Sequence, residues 1–332
     1  MKIDRKWIVT KSLVIAAFLL APVLESVLLK RRDRYRIAGL QDHKISFVEK
    51  SIFRDPTPID FLIVGPSGTW VSLNARLIEN ELSKKFKRKV TVLNFGHIFQ
   101  GLDLEYFFLR DTLQRREVRN IILGWPFGTQ ENPNRSLRVL WDPLEDTRDL
   151  RAETLARMYS EKLLESVPDI AKNFRDRRFR SFVPFSLHLG SLVLARGYSG
   201  NFEPIEIPSL TLQSAVIQNP PVAPMKPLTS YQELYLKKII RLAEMSGARL
   251  FYFISPAILD APDQSRLYRM TSQNDDRYPT IGVPTDVLFP GLSLEERKKY
   301  FFNSEHTNLN GANYFTSALL PFFTEIYESQ GR

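Results

Sequence analysis

The sequence predicts an α/β fold with a parallel sheet covered by helices on both faces. Short apolar runs typical of buried strands alternate along the chain with longer segments whose apolar residues recur at helical spacing. Strands that alternate with helices are joined by crossovers, which makes neighbouring strands parallel and buries both faces of the sheet. The chain has 332 residues, of which 43% are hydrophobic, and is therefore long enough to bury a large core.

The predicted sheet domain begins near residue 59 and has a three-layer α/β/α order. Its first half contains strands at 61–64, 90–93 and 120–123, and helices at 70–86 and 102–113. The same alternation resumes with a helix at 231–245, a strand at 249–254 and a final helix at 310–327.

Residues 125–228 interrupt this alternation with helix-like pieces and a proline-rich passage. We interpret them as an insertion in a domain that spans 59–328. An insertion after a sheet strand usually lies above the strand ends, where substrates bind in open α/β sheets. Residues 37–58 are expected to form a polar stalk, and residues 1–36 form a separate basic segment with an apolar centre.

The N-terminal segment is expected to anchor the chain in a lipid bilayer through residues 7–29. This stretch is apolar, has an uncharged run over 13–24, and approaches the roughly 20 residues that a spanning helix needs. Lys11 and Glu25 lie near its ends, where long side chains reach the headgroups. A cleavable signal peptide is the alternative, but the sequence around Ala21 has no small-x-small cleavage site. We therefore expect a single-pass membrane protein.

Most of the formal net charge of +9 belongs to the N-terminal segment. Residues 1–36 contain nine Lys and Arg against three Asp and Glu, a net charge of +6. The rest of the chain carries about +3, too little for a domain-wide phosphate-binding surface, so we expect no nucleic-acid partner. The basic segment could instead recruit anionic lipids while the domain is a passive scaffold. The charges on the two sides of the span are too similar to orient it.

Ser67 lies in the segment Gly65-Pro66-Ser67, where an apolar strand ends and a helical pattern begins. Such a turn exposes the hydroxyl and supplies backbone N–H groups for an oxyanion, as acyl transfer requires. Helix capping is the alternative role for a serine at this point. His306 lies just before the last helix and can reach back over the end of the first strand. The two residues together suggest a nucleophile and its base.

Two segments resemble the SGNH or GDSL hydrolase family, in particular its membrane-anchored DltD-like and AlgX-like branch. Gly65-Pro66-Ser67 is similar to the Gly-Asp-Ser of the first family block. Asn303-Ser304-Glu305-His306 is similar to the Asp-x-x-His of the last block, which precedes a helix start with Asn and Gly. The resemblance covers roughly residues 59–124 and 229–328. It implies a flavodoxin-like fold of the SGNH type.

The resemblance also implies a role for each matching residue. Ser67 is the nucleophile, His306 is its base and then its acid, and Asn303 positions the imidazole. The N–H groups of Ser67 and Gly101 bind the oxyanion, with Gly96 as the second candidate for the second donor. The resemblance implies no cofactor.

Asn303 departs from the family pattern because it cannot supply the negative charge of the usual aspartate. In a serine protease that replacement costs about four orders of magnitude in turnover. Glu305 is adjacent to His306 but points elsewhere in a helical turn, whereas Asp286 or Glu296 could approach in the fold. The sequence thus leaves open whether another carboxylate substitutes.

One proline, three histidines and the absence of cysteine also bear on the chemistry that the sequence allows. Pro126 stands in the third block, where the family has an oxyanion donor, and it has no N–H to offer. His97 lies in the second block and is a candidate second base, a substrate contact or an exposed loop residue. His43 and His188 have no ligand-like spacing with each other or with carboxylates, so we expect no metal site. The absence of cysteine excludes thiolate catalysis.

The function that the resemblance implies is a serine esterase or O-acyltransferase at the membrane. Its substrates would be ester-linked acyl groups of a cell-envelope polysaccharide or lipid, and its globular domain would be extracytoplasmic. The alternative is a catalytically weakened SGNH-like domain that binds a glycan or a partner protein, which Asn303 and Pro126 favour.

Overall fold

A computed structural model of the chain describes residues 20, 30–41, 43–97, 101–124, 140, 156, 159, 228–258, 278–283, 285–302 and 306–329. Across these ranges, no helix combines the length and the apolar character needed to cross a bilayer. The expected membrane segment at 7–29 lies outside the described residues except for Leu20, and the expected insertion at 125–228 lies almost entirely outside them.

The chain divides into two compact units. One comprises residues 1–49 and 132–191, and the other comprises residues 50–131 and 192–332. The second unit contains the sheet.

Two helices precede the sheet, α1 at Arg31–Gln41 and α2 at His43–Phe53. Most of the segment interpreted as a stalk is therefore helical. The reason is visible in α2, whose apolar residues recur at intervals of three and four and so share one face of the helix. These residues are buried: Ile45, Val48 and Ile52.

The sheet has five parallel strands in the order β2-β1-β3-β4-β5. They are β1 at Ile59–Val64, β2 at Val92–Asn94, β3 at Val118–Gly124, β4 at Arg249–Phe253 and β5 at Thr280–Ile281. A parallel sheet with intervening helices confirms the predicted α/β class. The two-residue strand β5 was not predicted from the sequence.

Seven α-helices accompany the sheet within the described ranges. They are α3 at Ser67–Ser72, α4 at Ala75–Phe86, α5 at Leu102–Leu113, α6 at Ser230–Ser246, α7 at Thr285–Leu288, α8 at Leu294–Arg297 and α9 at Leu309–Glu328. The single helix predicted at 70–86 is wrong, because the chain leaves the helical conformation at Leu73 and Asn74 and starts again as α4.

Both faces of strand β1, which lies between β2 and β3, are buried. Phe61 and Ile63 belong to an apolar cluster with side chains of α4 and α9, and Leu62 and Val64, on the opposite face, are also fully buried. Helices α5 and α6 pack against each other and contact β1 and β4, respectively. Each large apolar side chain buried in this way contributes about 1.5–3 kcal/mol, so the strand ends are held in a fixed register.

The strand order reverses beside β1. The next strand in the chain, β2, lies on one side of β1, and β3 lies on the other side. Open α/β sheets bind ligands in the crevice that such a reversal creates at the carboxyl ends of the strands. The first residues after β1 therefore lie at the crevice where a ligand would bind.

Candidate active site

The turn after β1 requires glycine at position 65. Gly65 has a φ of +156°, a conformation that L side chains rarely adopt. A Cβ atom there would also lie 2.6 Å from Thr69 Oγ1 and 2.9 Å from the Cα of Gly124, the last residue of β3. Any side chain would push apart the ends of β1 and β3. The glycine pair thus allows the close approach that directs the chain into α3.

Ser67 is the first residue of α3. Pro66 precedes it as the N-cap residue with an extended conformation, φ −69° and ψ −179°. The first N–H groups of a helix have no acceptor within the helix, so that of Ser67 is not used by α3 itself. The serine is partly exposed. Its hydroxyl and N–H therefore lie together at the edge of the sheet where a ligand would bind.

His306 lies beside Ser67, although 239 residues separate the two in the chain. The distance between His306 Nε2 and Ser67 Oγ is 2.8 Å, a normal hydrogen-bond length. With the ring proton on Nδ1, Nε2 accepts the proton of the hydroxyl, which is the geometry of a general base. The structure thus brings together the two residues that the sequence suggests as nucleophile and base.

The loop that carries His306 is closed by backbone hydrogen bonds. The N–H of Phe302 donates to the His306 carbonyl at 2.9 Å, and the N–H of Asn308 donates to the Tyr300 carbonyl at 3.0 Å. Asn308 Oδ1 also accepts the N–H of Gly311 at 3.0 Å and so caps α9. A Cβ at Gly311 would collide with the Tyr300 carbonyl. His306 is therefore held at the start of a long, capped helix.

Thr307 joins this loop to α3, the helix that begins with Ser67. Its buried hydroxyl donates to the carbonyl of Val71 at 2.9 Å. Val71 lies in the last turn of α3, where the backbone carbonyls have no hydrogen-bond donor within the helix. This contact, one residue from His306, sets the spacing between helix and loop.

Asn94 holds the other side of α3. Its Nδ2 donates to the carbonyls of Trp70 at 3.2 Å and Leu73 at 3.0 Å, and its Oδ1 accepts the N–H of Gly96 at 2.9 Å. One buried side chain at the end of β2 thus hydrogen-bonds two carbonyls at the end of α3 and the N–H of Gly96 in the loop after β2.

A third contact comes from α9 and explains the break between α3 and α4. The N–H of Asn74 donates to Thr316 Oγ1 at 2.9 Å, and Asn74 Nδ2 donates to Asn313 Oδ1 at 2.7 Å. The same asparagine caps α4 by accepting the N–H of Leu77 at 3.1 Å. Contacts with residues far along the chain therefore end one helix and begin the next.

The two oxyanion candidates in the second block differ in the structure. The N–H of Gly96 is already bonded to Asn94, and a Cβ at Gly96 would lie 2.9 Å from the Cα of Trp70. Gly96 is therefore a packing residue. Gly101 is buried, has an extended backbone and is the N-cap of α5. Gly101 stays the candidate for the second donor.

His97 is buried, with 5% of its surface exposed, so the exposed-loop interpretation does not hold. The backbone N–H of His97 donates to the Gly65 carbonyl at 3.0 Å. This bond extends the contact between β1 and β2 past the strand ends. This places the backbone of His97 next to the turn that leads to Ser67.

Several predicted residues lie outside the described part of the chain. These are Asn303, Glu305 and Pro126, together with the side chain of Asp286. Glu296 is described, and it caps α8: its carboxylate accepts the N–H and the hydroxyl of Ser293 at 2.8 and 2.7 Å. These hydrogen bonds lower the pKa of Glu296, and they commit its carboxylate to a capping role.

Glu105, in the first turn of α5, is a buried acid that sequence reasoning missed. It is fully buried, and neither carboxyl oxygen has a hydrogen-bond partner. Burial, together with the nearby Asp103, raises the pKa of Glu105 well above its usual value. Asp103 Oδ2 accepts the hydroxyl of Tyr231 from α6 at 3.0 Å. A buried carboxyl with a raised pKa therefore lies one turn from Gly101.

The described ranges contain no group of three or more His, Asp or Glu side chains arranged to hold a metal ion. A cavity of about 510 Å³ lies at the amino ends of β3 and β4, the edge opposite to Ser67. Two of its arginines are bonded within the protein, Arg119 to Asp60 at 2.8 Å and Arg249 to Asn120 at 3.0 Å.

No protein-family model matches the chain, and no curated protein matches it. The local geometry of the site is therefore the basis for a functional assignment.

Proposed function

We propose that this chain is an SGNH-like serine esterase or O-acyltransferase. The observation that carries the proposal is the 2.8 Å distance between Ser67 Oγ and His306 Nε2 at the carboxyl edge of a parallel sheet. A serine hydroxyl is a weak nucleophile until a base accepts its proton, and a histidine at hydrogen-bond distance is the usual base. Helix capping alone does not account for a histidine bonded to this hydroxyl.

In the first half-reaction, Ser67 Oγ attacks the ester carbonyl carbon while its proton passes to His306 Nε2. The negative charge that develops on the carbonyl oxygen is stabilised by the N–H groups of Ser67 and Gly101. His306 then donates the proton to the departing alcohol oxygen, and an acyl group remains on Ser67.

In the second half-reaction, water or another alcohol attacks the acyl carbon. The proton of the attacking oxygen passes to His306, the bond between the acyl carbon and Ser67 Oγ breaks, and the proton returns to Ser67. The same two side chains therefore serve both hydrolysis and transfer. The attacking group decides between the two outcomes.

The topology supports the finer fold assignment. The strand order 2-1-3-4-5 is that of flavodoxin-like sheets, in which ligands bind at the reversal between β1 and β3. We propose a three-layer α/β/α domain of the SGNH type, with the nucleophile after β1 and the base before the last helix.

The setting of the reaction is also a proposal. The apolar stretch at 7–29 supports a single-pass anchor in a bilayer. By the resemblance to membrane-anchored SGNH proteins, we place the domain outside the cytoplasm, with an acylated envelope polysaccharide or lipid as its substrate.

The second candidate function is binding without turnover, to a glycan or a partner protein at the membrane. The observation that favours it is Asn303, three residues before the base, where a triad has a carboxylate. Such a domain could keep the Ser67–His306 hydrogen bond and have almost no catalytic rate.

A fluorophosphonate probe tests the choice, because it phosphonylates a serine whose hydroxyl is activated by a base. We expect the full chain to acquire one label on Ser67, and we expect Ser67→Ala and His306→Ala to lose it. Ser72→Ala is the matched control, since Ser72 lies in the same helix with a buried hydroxyl that has no partner. Ser72→Ala should keep the label. A correctly folded wild type that takes up no label would contradict the esterase proposal and favour the binding role.

A further inference from the structure

Phe302 is an exposed aromatic residue next to the proposed base. Half of its surface, 51%, is open to solvent. Its ring centroid lies 5.7 Å from that of the His306 imidazole, with the planes inclined at 46°. A single exposed aromatic residue is ordinary on a protein surface, so its position, rather than its exposure, suggests a role. The hydrogen bond from its N–H to the His306 carbonyl keeps the two residues together.

The proposed chemistry determines which part of a substrate meets this ring. His306 Nε2 must donate a proton to the alcohol oxygen, so that oxygen comes within about 3 Å of Nε2. The carbonyl oxygen turns instead toward the N–H groups of the oxyanion site. The alcohol half of the ester therefore comes closer to His306 than the acyl half does, and Phe302 is the exposed aromatic neighbour of His306.

We propose that Phe302 is the contact surface for the alcohol, and that it favours acyl transfer to alcohols with a flat apolar face over hydrolysis. This inference rests on the function proposed above. Aromatic rings attract one another at centroid separations of 4.5–7 Å, which favours binding by roughly two- to tenfold. Water has no such group, so it gains nothing from the ring.

The test compares two fates of one acyl-enzyme. The full chain is acylated with p-nitrophenyl acetate in the presence of benzyl alcohol or 1-propanol, and the ratio of acetyl ester to free acetate is measured. We expect Phe302→Ala to lower the ratio for benzyl alcohol about three- to tenfold and to change the ratio for 1-propanol less than twofold. Loss of active protein does not alter these ratios, because both products come from the same intermediate.

Three variants serve as controls. Phe302→Tyr keeps a flat ring and should keep the wild-type ratios, whereas Phe302→Leu keeps apolar volume without the flat face and should resemble Phe302→Ala. Phe322→Ala removes a comparably exposed phenylalanine, 44% open to solvent, that lies roughly 20 Å along α9 from the helix start. It should have no effect on either ratio.

Each remaining outcome has a distinct meaning. Equal benzyl alcohol ratios in the wild type and Phe302→Ala, with Ser67 still acylated, would overturn this inference and leave the proposed function intact. If Phe302→Ala lowers the ratio of acetyl ester to acetate equally for both alcohols, the substitution has loosened the loop. That result would also overturn this inference. A wild type that is never acylated would overturn both proposals.

Discussion

The hydroxyl of Thr307 donates to the carbonyl of Val71 at 2.9 Å, and this bond links the residue after the proposed base to the helix of the proposed nucleophile. Helix α3 has only six residues, too few to be stable through its own hydrogen bonds. Its position therefore depends on contacts with other elements. Asn94 at the end of β2, Thr307 in the loop before α9 and Thr316 in α9 provide those contacts.

We expect Thr307→Val to lower esterase turnover about 10- to 100-fold. Valine has nearly the same shape but no hydroxyl, so the carbonyl of Val71 loses its partner, which costs about 1–3 kcal/mol of stability. A misplacement of about 1 Å between catalytic groups is enough for a 100-fold loss in rate. The measurement is kcat for p-nitrophenyl acetate together with urea unfolding of the full chain.

Thr307→Ser is the control, because it keeps the hydroxyl and removes only a methyl group. It should retain turnover within about threefold. If Thr307→Val matches the wild type in turnover, the hydrogen bond to Val71 does not position the base.

A glycine in α9 offers a second way to move the base. We expect Gly311→Ala to lower turnover at least tenfold and stability by about 1–3 kcal/mol, because its Cβ would strike the Tyr300 carbonyl, whose loop carries His306. Gly291→Ala is the control: its φ of +74° is strained for alanine, but its Cβ would meet nothing within 4 Å. Gly291→Ala should cost stability, by about 1 kcal/mol, and leave turnover unchanged. Equal turnover in the two variants would contradict the role given to the loop.

Local patterns were sufficient to predict four of the five strands and the helices α5, α6 and α9. The helix at 102–113 has the predicted limits, and α6 and α9 extend the predicted ranges by only one residue at each end. These segments have strong apolar periodicity, and capping residues such as Thr229 and Asn308 lie next to them.

The break at Leu73 and Asn74 could not be predicted locally, because its partners, Asn94, Asn313 and Thr316, lie about 20 to 240 residues away. The helical spacing of Ile45, Val48 and Ile52 was visible in the sequence, but the polar character of the segment favoured a stalk.

Contacts between distant residues also limited what could be predicted of the site. The serine and the histidine carry recognisable local patterns, a glycine turn after a strand and a polar block before a helix. Asn94 had a weaker signal as a polar residue directly after an apolar strand, whereas nothing in the local sequence distinguishes Thr307. Supporting contacts of this kind depend on tertiary geometry.

We expect Asn303→Asp to raise esterase turnover. An aspartate at this position would hold the imidazole in the correct tautomer and stabilise the imidazolium, as in a complete triad, where the reverse replacement costs about four orders of magnitude. Asn303→Ala is the control and should not increase turnover. An unchanged rate in Asn303→Asp would mean that another carboxylate already serves His306 or that the pocket is not built for this chemistry.

Glu105 makes stability depend on pH in a direction that can be calculated. Its pKa in the folded protein is raised well above the ordinary value of 4.5 by burial and by Asp103. Between these two pKa values the folded chain holds one more proton than the unfolded chain, so the free energy of unfolding falls as pH rises, by up to about 1.4 kcal/mol per pH unit. The contribution of the protonated carboxyl is complete below pH 4.5 and is lost toward the folded pKa.

We therefore expect Glu105→Gln to gain stability relative to the wild type as pH rises from 5 to 8, since glutamine keeps the shape but cannot ionise. Urea unfolding of both proteins across this range measures the difference. Glu296→Gln is the control: the folded pKa of Glu296 is lowered, so its contribution is constant above its ordinary pKa and is lost only on acidification. A difference between Glu105→Gln and the wild type that stays constant from pH 5 to 8 would show that Glu105 is not a buried neutral acid.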